Sequence, residues 1–180
     1  MKKHNKVTLI VYTALMIALL VTIQAVTKSL SQFVTGSLVN LVLAVTVFIC
    51  GPVSAITVAL LSPFFAFVLG IGTPFLQLVP VIAAGNLVYV LLLAFLPRIL
   101  KGKKLLPLVI VIAAAFKFLA LYFLITKVEL PTMVGAGTLP AKKADVFSAS
   151  FSWPQLITAL IGGFLSLGIV PTLRKAVKYE

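Results

Sequence analysis

The stretch Val111–Thr126, VIAAAFKFLALYFLIT, sets Lys117 in the middle of an otherwise mostly apolar run. With its flanks the run covers residues 105–126, and about 20 residues at 1.5 Å each cross the ~30 Å hydrocarbon layer of a bilayer. A helix this long and apolar belongs in a membrane. A lysine at its centre is then costly, and it marks either a packing device or a site.

The rest of the chain agrees with that reading. Of its 180 residues, 62% are hydrophobic and only 10% charged, and the mean hydropathy is +1.23. A water-soluble domain of this size needs a polar surface that such a composition cannot supply. The formal net charge of +12 does not point to nucleic acid, because the cations lie in short clusters between apolar runs instead of gathering on one face. Cys50 is the single cysteine, which excludes a disulfide framework and a thiolate metal site.

Six apolar runs are long enough to count as helices: 7–27, 37–50, 52–70, 75–96, 105–126 and 153–173. Gly51-Pro52 breaks the second from the third, giving a tight hairpin, and Gly70–Pro74 (GIGTP) divides the third from the fourth. The expected fold class is an all-α membrane protein, one domain over residues 1–180, with six transmembrane helices in a lipid bilayer. The segment 127–152, with its LPTMVGAGTLPAKKAD, is rich in Gly and Pro without a periodic pattern and is expected to be an irregular cap. Lys2, Lys3 and Lys6 precede the first helix, Arg98, Lys101, Lys103 and Lys104 follow the fourth, and Arg174, Lys175 and Lys178 follow the sixth. Six spans put all three clusters on one side, which the positive-inside rule makes the cytoplasm, with both termini there. Lys28, Lys127, Lys142 and Lys143, with Glu129 and Asp145, fall outside. The first apolar run, with no small-x-small cleavage pattern after it, reads as a retained helix and not a signal peptide.

Several chemistries lack parts. No spanning helix holds Asp or Glu, which disfavours proton-coupled transport. His4 is the only histidine and precedes the first helix, so neither an HExxH metal site nor a Ser-His-Asp arrangement is available. No Walker loop is present, so the chain does not itself hydrolyse ATP. The expectation is a protein that is not an enzyme, with no metal and no cofactor, whose energy comes from elsewhere.

The polar residues inside the helices are the candidate binding groups. Around Lys117, Ala113, Ala114 and Ala120 lie at i−4, i−3 and i+3, while Phe116, Leu119 and Phe123 lie opposite, so the lysine face is small and points inward. Snorkelling to a head group and bonding only to backbone carbonyls of a broken helix are the structural alternatives to a ligand role. Asn86 stands at similar depth on the fourth helix beside Gly85, with Tyr89 one turn on. Either a helix–helix hydrogen bond or a ligand contact suits it. Asn40 and Gln77 are expected near the outer ends of their helices, where polar residues cost little. Trp153 opens the sixth helix beside Gln155, as a belt anchor or a stacking platform. Tyr122 stands one turn beyond Lys117. The candidate substrate-binding set is therefore Lys117, Asn86, Tyr122, Tyr89, Asn40, Gln77, Trp153 and Gln155, in a site open to the outside.

Taken together, the length, the six helices, the cationic cytoplasmic rim and the ALMIA stretch with Ala14 and Ala18 resemble the substrate-binding S components of energy-coupling factor (ECF) vitamin transporters. LVNLVLAVTVFICGPVSAITVALLSPFFAFVLGIGTPF and LVPVIAAGNLVYVLL look like the second-to-third and fourth helices of group II members. The resemblance implies an S-component fold with a vitamin site on the outer side, built from helices four to six and capped by external loops. It implies a bacterial plasma-membrane location and docking through the Ala14/Ala18 face on an energy-coupling transmembrane protein of the EcfT type, driven by two cytoplasmic ATPases of the EcfA type. The resemblance points to a hydroxymethylpyrimidine- or pyridoxine-type vitamin, with pantothenate carriers nearby, whereas Lys117 favours an anionic vitamin such as pantothenate. A small membrane interaction subunit without a ligand is the reading of another class.

Overall fold

The computed structural model describes residues 6–100 and 103–177. The expected roles of Lys2, Lys3, His4, Lys101 and Lys178 lie outside the described residues. Among the described residues all regular structure is helical, with no strand. Helices α1 (Lys6–Thr27), α2 (Gln32–Ile49), α3 (Pro52–Val68) and α4 (Leu78–Ile99) are followed by α5 (Leu106–Leu121). After α5 come a stretch of π-helix (Tyr122–Glu129), α6 (Leu130–Gly135), α7 (Ala141–Ser150) and α8 (Trp153–Val177). Five helical stretches are long and apolar enough to cross a membrane, and Pro52–Val68 is a shorter apolar helix. This is the architecture of a multi-pass membrane protein.

Small residues set the packing, since in lipid close backbone approach replaces the hydrophobic effect as the main attraction between helices. The core joins Ala44, Ala55, Ala59, Ala113, Ala114 and Ala159 to Leu20, Leu43, Val58, Tyr89, Leu93 and Ile110. The closest approach is between α2 and α8. A Cβ at Gly162 would lie 2.5 Å from both Leu41 N and Ser37 O, so only glycine fits there. These two helices run parallel: Gln32 Nε2 donates to Ser150 O near the start of α8 (2.7 Å), and Arg174 donates to Phe48 O near the other ends (3.0 Å). At the α2–α3 turn Gly51 adopts φ 95°, a left-handed conformation that favours glycine, and Pro52 opens α3.

Two expectations change. Helix α2 begins at Gln32 instead of residue 37, because polar residues are tolerated in its first turns. The segment 127–152 is mostly helical instead of irregular. Leu106–Gly135 forms one helical stretch of 30 residues, ~45 Å at the α-helical rise, so its far end projects beyond the hydrocarbon layer. The wide turns at Tyr122–Glu129 lead into Pro131, whose ring would clash with the Lys127 carbonyl in a regular α-helix. Pro140 stands at the N-cap of α7. A second small core of Leu78, Leu121, Ile125, Leu130, Met133, Leu139 and Phe151 binds this segment onto the starts of α4 and α8. One end of the bundle is thereby capped.

Candidate functional site

Three helices bring their central polar residues to one level. Asn40 and Asn86 each lie in the third turn of α2 and α4, which both start at the capped end, and α5 runs the opposite way and presents Lys117 between them. Lys117 Nζ donates to Asn40 Oδ1 (2.6 Å) and to Asn86 Oδ1 (2.8 Å). It also lies 5.4 Å from the centroid of the Tyr89 ring. All are removed from lipid: Lys117 is 2% exposed, Asn40 1%, Asn86 4% and Tyr89 0%. Buried Ala113 and Ala114 make room for the lysine stem, while Phe116, Leu119 and Phe123 on the opposite side of the helix are exposed.

The amide orientations follow from chemistry, because an ammonium has no acceptor to offer and must face oxygen. Asn40 is fully engaged, its Nδ2 donating to Gly36 O (2.8 Å) and, more weakly, to Thr158 Oγ1 (3.4 Å). Asn86 Nδ2 has no partner among the described residues. The Tyr89 hydroxyl donates to Ala159 O (3.0 Å), and Gly163 leaves space for it, a Cβ there lying 2.8 Å from the hydroxyl. Two hydrogen bonds to an ammonium contribute ~3–6 kcal/mol, against several kcal/mol for taking the cation out of water. These terms roughly cancel, and among the described residues no acid pairs with Lys117.

Above this cluster a cavity of about 460 Å³ opens toward the capped end. Lys117, Asn40 and Asn86 form its floor, and Ser62, Pro63 and Ala66 of α3 form one wall. Gln24, Lys28 and Gln32, from the end of α1 and the start of α2, lie nearer the rim with Gly70, Gly72 and Thr73 of the α3–α4 loop. Phe151 and Gln155 close the α8 side. Gly70 and Gly72 take φ 66° and 87°, letting the loop turn tightly at the mouth. The volume is typical of a site for a small organic ligand, and among the described residues no Asp or Glu lines it.

Four of the eight expected binding residues thus meet in one cavity: Lys117, Asn86, Asn40 and Gln155. Asn40 is central and buried where an outer, interfacial position was expected, a direct result of the earlier start of α2. The other four do not line it. Tyr89 lies beneath the floor, supporting the lysine. Gln77 is exposed before the start of α4. Trp153, 66% exposed, stacks on Phe118 (5.6 Å), Tyr122 packs on the same ring (5.8 Å), and Lys127 Nζ lies 5.5 Å from the centroid of the Tyr122 ring. That aromatic and cationic patch has the character of an interfacial belt. The expectation of a site from helices four to six is also too narrow, since α1, α2 and α3 supply much of the lining. Gln24, Lys28, Gln32, Ser62 and Phe151 were missed. Gln24 carried a signal, being the only amide in the first apolar run.

Ala14 and Ala18 are exposed on α1, alongside Val7, Ile10, Val11 and Leu15. Only Leu20 and Thr27 of that helix are buried. The chain matches no family model, no curated protein and no solved structure.

Proposed function

We propose that the protein is the membrane-embedded ligand-capturing subunit of an importer, built like the S components of ECF vitamin transporters. The observation that carries this reading is the cavity of about 460 Å³ whose floor is a buried lysine held by two asparagines. A lysine needed only to join helices would not require a cavity over it, and an ion-coupled pump would need a carboxylate. The capped end faces outside in this reading, and the cationic end faces the cytoplasm. Helix α1, apolar and almost unburied, is the docking surface for an energy-coupling transmembrane protein, and two cytoplasmic ATPases supply the power that this chain has no Walker loop to supply. The bacterial plasma membrane is the expected location.

The test is native mass spectrometry of the full-length protein purified in mild detergent. A small water-soluble molecule bound one to one and released on denaturation is the expected result. A protein that carries no such molecule, and whose melting temperature no vitamin raises, would instead be a membrane interaction subunit. The two ligand chemistries expected from the sequence, a pyrimidine or pyridine ring and an anionic vitamin, make different demands on the floor.

A further inference from the structure

The free hydrogen-bonding capacity of the floor is one-sided. Both asparagine oxygens are occupied by Lys117, and both Asn40 amide hydrogens are directed at Gly36 O and Thr158 Oγ1. An ammonium has three N–H groups and two are engaged. What the floor offers upward is therefore the third Lys117 N–H and the two N–H groups of Asn86 Nδ2, all donors. The uncompensated charge is positive, a second lysine, Lys28, lines the same cavity, and no carboxylate among the described residues does. A ligand group that matches donors alone, next to a cation in a low-dielectric layer, is an acceptor-only anion.

We propose that the cavity binds a small organic carboxylate, its acid group seated on Lys117 and Asn86 at the floor. This rests on reading the cavity as a ligand site. The carboxylate oxygens accept from Lys117 Nζ and Asn86 Nδ2, completing the ammonium's third bond and neutralising its charge. The size of the cavity leaves room for a body beyond the acid group, and that part extends toward Gln24. The Gln24 side-chain oxygen is buried with no partner among the described residues and is suited to accept from a ligand hydroxyl or amide. A neutral ring would leave the lysine charge uncompensated.

Matched pairs of acid and alcohol test this on the wild-type protein without any substitution. The probes are pantothenate against panthenol and 4-pyridoxate against pyridoxine, each pair differing in whether a carboxylate or a hydroxymethyl group is present. Titration calorimetry of the full-length protein in detergent is expected to show at least one acid binding roughly 10- to 150-fold more tightly than its alcohol. In Lys117→Met that preference is expected to vanish. An alcohol that binds as tightly as its acid, as it would if Lys117 were a neutral amine offering a lone pair, overturns the carboxylate assignment and leaves the ligand-site reading intact. Failure of all four compounds to bind also overturns it. The co-purified molecule then decides independently whether the cavity is a ligand site at all.

Discussion

Lys117 is bonded to oxygens from residues 77 and 31 positions away in sequence, so a single side chain ties α2, α4 and α5 together. Asn40→Leu would leave the ammonium with one oxygen partner, and is expected to lower stability by about 1–3 kcal/mol. Lys117→Met would leave two buried oxygens without a donor. Because each change orphans what the other removes, the double variant should be less destabilised than the sum of the singles, by about 1 kcal/mol or more. Unfolding of the four proteins in detergent measures this, and strict additivity would show that the bonds carry no stability. Lys117 and Asn86 were legible from sequence because polar groups stand out in apolar runs. The pairing was not, since nothing in hydrophobic periodicity says which helices are neighbours. That is also why Gln24, Ser62 and Phe151, drawn from three other parts of the chain, were not assembled into the same site.

The elements divide into those that shape the cavity and those left open. The α2–α8 contact depends on Gly162, where a Cβ would strike backbone atoms that cannot rotate away. Gly162→Ala is expected to cost about 1–3 kcal/mol and to weaken ligand binding by displacing the helix that carries Asn40. Gly168 lies on the same helix with nothing within 4 Å of an added Cβ, so Gly168→Ala should leave stability unchanged or raise it by up to ~1 kcal/mol. Equal losses in the two variants would refute the packing argument. Ala14 and Ala18 are exposed, and Leu at both should leave the melting temperature and ligand binding intact while abolishing uptake in cells. Loss of binding would show instead that this face belongs to the ligand-binding body. At this scale six apolar helices were readable from run length and from the Gly51-Pro52 break. The capping helices were not, because Pro131 and Pro140 read as breakers in a sequence although each stands at the start of a helix, and because apolar contacts such as Leu130 and Met133 are too few to form a period.

Over the whole molecule, charge is distributed unequally between the two ends, and the cavity opens at the end where the cations are accompanied by acids. Arg98, Lys104, Arg174 and Lys175 sit at the uncapped end, and Lys28, Lys127, Lys142 and Lys143 at the capped end with Glu129 and Asp145. If the positive-inside rule governs, Lys142→Cys in a Cys50→Ser background reacts with an impermeant thiol reagent on intact cells and Lys104→Cys does not. The reverse pattern would invert the topology and put the mouth of the cavity in the cytoplasm. Orientation could be argued from sequence because charge clusters survive without coordinates, whereas a cavity drawing on α1 to α5 and α8 exists only once the bundle is assembled. That cavity, with its lysine floor, is the centre of the account. Its most direct test is the affinity of wild-type and Lys117→Met proteins, by titration calorimetry, for the molecule recovered from the wild type. Loss of a charge-assisted bond in a dry site predicts binding weaker by roughly 10- to 150-fold. An unchanged affinity would contradict the account and leave Lys117 as a tie between helices.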